Sequence, residues 1–257
     1  MPIAITRDVS RSLGHCELSF VDRVSIDVER AAAQHAAYRH ALASLGCEVI
    51  ALPAEHDMPD AVFVEDVAIV LDEIAISTRP GAPPRRAEVA TVAHALSRHR
   101  ALESIEAPGT IDGGDVLTMG RAIYVGESAR TNAEGIAALR RIAGAIGYAV
   151  HPVPIRGCLH LKSAVTEVAD GVVLINPDGV DRAAFATFRA IEIDPDEPHA
   201  ANALRIGDAV IYPACFPRTR RRLEAAGIAR MIVVDVSELQ KAEGAVTCCS
   251  LVFRAAP

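Results

Sequence analysis

The sequence predicts an α/β fold in which a ββαβ unit recurs about five times around an axis. Three observations carry this expectation. The first is periodicity. Residues 66–78, 115–128, 163–177 and 202–215 each hold a small or acidic opener, an apolar run, a tight turn and a second apolar run. A half copy, CCSLVF, closes the chain at 248–253. The openers at 66, 115, 163, 202 and 248 are 49, 48, 39 and 46 residues apart. The second observation is the turn chemistry: Asp72-Glu73, Gly120-Arg121, Asp170-Gly171 and Gly207-Asp208 each sit between apolar runs, the pattern of a β-hairpin. The third is helical spacing after most of these hairpins.

Taken in chain order, Ile3, Ala4 and Ile5 form an N-terminal strand that pairs with C-terminal elements and completes the array. Leu42 and Leu45 mark a helix that stops at Gly46. Val89, Val92, Ala93 and Leu96 mark a second. Ile136, Leu139, Ile142 and Ile146 lie three or four apart and give a third helix, ended by Gly147 and followed by a strand from Tyr148. Leu223 and Ala226 before Gly227 give another. Glycine suits the left-handed position just past a helix end. One such unit cannot bury its apolar face alone, so neighbours must stack. The competing reading is an ordinary α/β domain with chance spacing. No linker or low-complexity stretch interrupts the chain, so residues 1–257 read as one domain.

Composition narrows the function classes. Hydrophobic residues make up 51% of the chain, with no tryptophan, so the core must be mostly aliphatic. The formal net charge is −7, and the only short basic run is Arg218–Arg222. Nucleic acid is excluded as an expected partner, because phosphate binding needs clustered Lys and Arg. A mild acidic balance favours a cationic small molecule instead. No apolar run approaches the ~18 residues of a membrane span, and the N-terminus does not read as a signal peptide. Six cysteines without a C-x-x-C pair point to a reducing cytoplasm.

Strand starts in a radial array converge near its axis. Asp66, Asp115, His160 and Cys248 are therefore expected to face one central cavity. Cys248 follows Gly244 and small residues that permit close substrate approach, and a free thiol must be activated to react. Its alternative is a pair of buried structural cysteines with Cys249. His160, in CLHLKS, reads as an inward polar residue in a strand-like run; its alternative is a hydrogen-bonded core histidine. Glu65-Asp66 and the Asp112–Asp115 run place carboxylates in apolar or glycine-rich surroundings, where burial needs a compensating charge such as a guanidinium. Turn chemistry explains Asp112 well and Glu65-Asp66 poorly. Arg85 and Arg130 enter helices and can clamp a carboxylate, or be solvated helix-start charges. Cys158, His160, Cys248 and Cys249 have no zinc-finger spacing, so no metal site is expected.

These residues make the chain resemble the dimethylarginine dimethylaminohydrolases of the guanidine-modifying pentein superfamily. The matching runs are PDAVFVED (59–66), TRPGAPPRR (78–86), TIDGGDVL (110–117), GESARTN (126–132), LHLK (159–162), AAN (200–202) and TCCS (247–250), in family order. The resemblance implies a five-bladed ββαβ propeller with a central active-site cavity. It implies hydrolysis of asymmetric dimethylarginine or monomethylarginine to citrulline and an amine, without a cofactor. Carried over by position, Cys248 is the nucleophile, His160 the acid/base and Asp112 the carboxylate that orients it. Glu65 and Asp66 surround the guanidinium. Asp60 and the backbone near Leu18 and Ala242 meet the amino-acid end, and Arg85 and Arg130 lie near the substrate carboxylate. Residues 10–20 would be a lid. Glu243 and Ala242 depart from the family pattern and bear on substrate fit.

Three rivals remain in view. Arginine or agmatine deiminases resemble the chain at Cys and His but carry an Asp two residues past the histidine. Here that position is Lys162, which leaves room for N-methyl groups. A non-catalytic ribosome-binding factor of the same fold predicts loss of Cys248 or His160, and both are present. A sensor that binds methylarginine without turnover is separated only by assay. Oligomeric state reads as monomer or homodimer.

Overall fold

The structure is a computed structural model that describes residues 1–255. Its elements in chain order are β1 (Pro2–Arg7), α1 (Val28–Ser44), β2 (Glu48–Leu52), β3 (Ala68–Val70), β4 (Ile74–Ser77), α2 (Val89–Leu96) and β5 (Ala101–Ser104). There follow β6 (Val116–Met119), β7 (Ala122–Glu127), α3 (Ala133–Gly144), β8 (Ala149–Pro154), the single turn α4 (Leu161–Ala164), β9 (Val165–Ala169), β10 (Val172–Ile175) and β11 (Arg189–Glu192). The chain ends with β12 (Leu204–Ile206), β13 (Ala209–Pro213), α5 (Pro217–Ala225), β14 (Met231–Val234), the single turn α6 (Ser237–Gln240) and β15 (Leu251–Arg254).

The strands form five three-stranded sheets, ordered β15-β1-β2, β3-β4-β5, β6-β7-β8, β9-β10-β11 and β12-β13-β14. In each, the middle strand pairs antiparallel with one neighbour and parallel with the strand that follows the crossover. That is the ββαβ unit read from the periodicity. The N-terminal strand indeed meets the end of the chain, with Ile3 opposite Phe253 and Ile5 opposite Leu251. The fourth unit lacks a full helix and has a short 3-10 turn at Arg182–Phe185 instead. Its opener spacing of 39 residues, against 46 to 49 elsewhere, leaves too little chain for one.

Local chemistry fixes the helices. Asp27 and Asn132 cap α1 and α3 by accepting from the N–H groups of Arg30 and Gly135. Gly46, Gly147 and Gly227 adopt the left-handed conformation past α1, α3 and α5, as the sequence predicts. The apolar stripe of α3 (Ile136, Leu139, Ile142) packs on Ile76, Ile123 and Val125. Each such side chain contributes about 1.5–3 kcal/mol when fully buried. The buried apolar residues fall into five clusters rather than one, seated under the helices and between neighbouring sheets. Contacts link β15 to β3, β9 to β12 and α6 to α1, joining successive units. Among the described residues no helix is long and apolar enough to cross a membrane.

Candidate active site

A tight cavity is lined by Glu17, Asp60, Phe63, Asp66, Arg85, Arg130, Leu159, His160, Ala242, Glu243, Gly244 and Cys248. Seven of the ten site residues expected from sequence are in this wall. About 20 Å³ is left for the centres of water molecules, room for a water or two.

Cys248 sits in a turn after Gly244 and is partly exposed to this cavity, whereas Cys249 is fully buried with its thiol on the Ala245 carbonyl at 3.3 Å. That geometry separates the two cysteines, which the sequence could only order by resemblance. The Cys248 carbonyl accepts from the Glu65 N–H at 3.1 Å. Burial, reinforced by Glu65 and Asp66, pushes the Cys248 thiol up to about 12. It is a neutral thiol in the resting protein.

His160 follows extended backbone but does not lie in a strand. It caps α4, one residue before a helical turn, which corrects the strand-like reading of CLHLKS. Its Nε2 lies 3.0 Å from Asp112 Oδ2, and its Nδ1 faces Asp66 Oδ1 at 3.7 Å. Burial pulls the imidazole pKa down, but Asp66, the hydrogen bond the ring donates to Asp112, and Asp115 outweigh it and hold the ring at about 9. The Asp112 carbonyl accepts from the Asp115 N–H at 3.0 Å in the 3-10 turn that follows, but its side chain makes no capping bond. Its other carboxylate oxygen accepts from the Gly81 N–H at 2.8 Å, so the backbone makes the turn read from sequence while the carboxylate serves His160 and Gly81.

Gly114 is what lets these groups meet. A Cβ there would stand 2.5 Å from His160 Nδ1 and 2.7 Å from Asp66 Oδ1. Its N–H instead donates to Asp66 Oδ1 at 3.1 Å. Asp66 is also gripped by Arg85 at 2.5 Å. Burial raises the Asp66 carboxyl, yet His160 and Arg85 bring it below its ordinary value.

A sequence model of the family described as "N,N dimethylarginine dimethylhydrolase, eukaryotic" matches residues 18–253. The N(G),N(G)-dimethylarginine dimethylaminohydrolase of Pseudomonas aeruginosa is 39% identical over 229 residues, covering 88% of this chain and 90% of that protein. The chain belongs to this family. The enzyme of the same name from Streptomyces coelicolor is 39% identical over 253 residues, 98% of this chain and 96% of its own length. Among solved structures, a cysteine-to-serine variant of the Pseudomonas aeruginosa protein complexed with citrulline superposes with a TM-score of 0.93 at 37% identity, covering 97% of this chain and 98% of that one. The N-terminal domain of ArgZ, a cyanobacterial arginine dihydrolase, superposes at 0.89 with 17% identity over 99% and 98% of the two chains, a likeness of fold alone.

Within this dimethylarginine dimethylaminohydrolase framework, Leu18, Glu65, Asp112 and Asp115 are not in the cavity wall, Asp112 lying where a carboxylate that orients His160 is expected. The Leu18 side chain packs on the apolar cluster with Leu13 and Cys16, and the backbone stretch expected to meet the substrate reaches the wall at the neighbouring Glu17. Glu65 points away from its neighbour Asp66, because residues in a 3-10 turn diverge by about 120°. It bonds Lys162 Nζ at 2.5 Å and Thr247 Oγ1 at 2.8 Å, beside a second cavity. Burial raises its pKa. Asp112 lies fully buried behind His160. Asp115, expected to face the cavity, is also buried behind it: its carboxylate holds the Leu161 N–H, Ser128 and Thr131. Burial lifts it to about 6.

The arginines differ. Arg85 is neither solvated nor free; its Nε, Nη1 and Nη2 already bond Glu88, Asp66 and the carbonyls of Asp60 and Phe63. Arg130 is buried but meets only Ser19 Oγ, at 3.1 Å, through its guanidinium. Asp60, raised by burial, accepts from the Glu17 N–H at 3.1 Å. Sequence reasoning missed Asn202, although AAN was among the matching runs. Its amide accepts from the Thr247 N–H and donates to Thr247 Oγ1, clamping the residue before Cys248. Asp66, Asp112 and His160 are the one trio of such side chains, among the described residues, close enough to share an ion. Of the zinc set weighed from sequence only His160 belongs to it; Cys158, Cys248 and Cys249 do not.

Proposed function

We propose that the protein hydrolyses Nω-methylated arginines to citrulline and methylamine or dimethylamine through a covalent bond at Cys248. The observation that carries this reading is the gathering of Cys248, His160 and Asp66 on one closed cavity, in a chain of this family.

The protonation states order the steps. At neutral pH the resting site holds a Cys248 thiol and a His160 imidazolium. An already protonated His160 cannot take the thiol proton. The bound guanidinium, paired with Asp66, supplies the positive charge that draws the thiol to thiolate, and the proton leaves to solvent. Sulfur attacks the guanidinium carbon. As the C–N bond breaks, His160 protonates the departing amine. A cationic S-alkylthiouronium remains on Cys248. Neutral His160 then takes a proton from a water whose oxygen attacks the same carbon. The C–S bond breaks, thiolate returns, the remaining hydroxyl proton is released and citrulline departs. No step is redox. Asp60 receives the substrate ammonium and Arg130 its carboxylate, while Arg85 holds Asp66 in place. Lys162, turned onto Glu65, stays out of the cavity and leaves space for N-methyl groups.

The finer architecture belongs to the same proposal. The five sheets close into a five-bladed propeller of the pentein type, one catalytic domain over residues 1–257. The ring of contacts between successive units supports it. All six cysteines are free thiols, which supports work in the reducing cytoplasm; the protein acts there as monomer or homodimer.

The test is product formation from asymmetric dimethylarginine, monomethylarginine, arginine and agmatine. Citrulline from the methylated substrates alone is expected. Turnover of arginine or agmatine instead would move the chain to a deiminase reading and contradict the role given to Lys162.

A further inference from the structure

Glu243 occupies a backbone position that glycine normally takes. It follows the α6 turn with φ of 58°, and is the one non-glycine residue with positive φ among those described. A non-glycine residue there costs about 1 kcal/mol or more. Its carboxylate is spent on one task. Oε1 and Oε2 accept from the N–H of Ser19 at 3.0 Å, and Oε1 also from those of Phe20 and Val21, the last at 2.8 Å. Three successive backbone N–H groups on one carboxylate form an anion-binding nest.

The segment held in this way borders the tight cavity through Glu17, with Phe20 and Val21 on a neighbouring cavity. Two other bonds tie it down: the Glu17 N–H donates to Asp60, and Arg130 Nη2 donates to Ser19 Oγ. Asp60 and Arg130 are also the groups proposed to receive the amino-acid end of the substrate. Binding substrate therefore exchanges those two bonds, leaving the Glu243 nest and the packing of Leu18 to keep the segment in place. We infer that Glu243 is a positioning residue that holds residues 17–21 closed over the bound substrate and thereby sets its affinity. This rests on the function proposed above.

The chain has no tryptophan, and Phe20 is 52% exposed. A Phe20→Trp parent, excited selectively at the indole, therefore reports the segment without background tryptophan fluorescence. In that parent, Glu243→Gly removes the carboxylate while suiting the positive φ, Glu243→Gln keeps the size, and Glu243→Asp is the conservative variant. The expected result for Glu243→Gly and Glu243→Gln is a KM for methylated arginine raised about tenfold with kcat within about twofold. Acrylamide quenching of the introduced tryptophan rises in the free protein, Glu243→Asp recovers part of both effects, and the melting temperature of Glu243→Gly stays near the parent's. Unchanged KM and quenching would overturn the inference. A loss of kcat together with a lower melting temperature in Glu243→Gly would reduce Glu243 to a structural residue, and would also overturn it. If the parent turns over no methylated arginine, the functional reading fails, and quenching in the free protein still decides whether Glu243 closes the segment.

Discussion

His160 is bracketed by carboxylates on both ring edges, with Asp112 3.0 Å from Nε2 and Asp66 3.7 Å from Nδ1. The fully buried Asp112 holds the ring while Asp66 shares the cavity with it. This pairing makes the imidazole an acid ready for the leaving amine. Asp112→Asn keeps the shape and removes one charge. It is expected to lower kcat by about 100-fold and to move the alkaline limb of the kcat profile to lower pH. An unmoved limb would separate Asp112 from the ring's protonation.

The same pairing predicts how stability varies with pH. The folded pKa of His160, about 9, exceeds the ordinary 6.5. Its contribution is therefore fully present below about 6.5 and is lost as pH rises through about 9. The loss is roughly 3 kcal/mol. Urea unfolding at intervals from pH 6 to 10 should show this decline, and His160→Gln should flatten it.

Gly114→Ala places a methyl where His160 and Asp66 now stand. Because both neighbours are fixed by other bonds, the side chains must shift. Activity is expected to fall at least about 100-fold, with about 1–3 kcal/mol lost from stability. Calorimetry beside the citrulline assay checks both.

Asn202→Ala removes both bonds to Thr247. The buried Thr247 N–H is left without that partner, at a cost of about 1–3 kcal/mol. The turn carrying Cys248 loosens, so kcat should fall more than KM rises. Equal kinetics in Asn202→Ala and wild type would contradict this.

Much of the fold was legible because hairpin turns, helix-ending glycines and opener spacing are written locally. Even the missing fourth helix is foreshadowed by the 39-residue interval between Ser163 and Asn202. Side-chain direction was not legible. Glu65 and Asp66 are adjacent in sequence, yet one serves Lys162 and the other His160. Asp115 opens a unit like Asp66, but its carboxylate is taken by Leu161, Ser128 and Thr131. Arg85 looked like a surface charge because the partners that bury it, Asp66 and Glu88, do not identify themselves locally. The work of Glu243 depends on a contact more than 220 residues away along the chain, which no local pattern encodes.

The central claim is a covalent intermediate on Cys248 resolved by His160. The direct test is mass spectrometry of protein quenched in acid during turnover of asymmetric dimethylarginine, with peptide mapping, in wild type, His160→Ala, Cys248→Ser and Cys249→Ser. The account predicts an S-alkylthiouronium on the Cys248 peptide of wild type and Cys249→Ser, none in Cys248→Ser, and slower decay of any adduct formed in His160→Ala. Citrulline production that persists in Cys248→Ser, or an adduct mapped to Cys249, would contradict it.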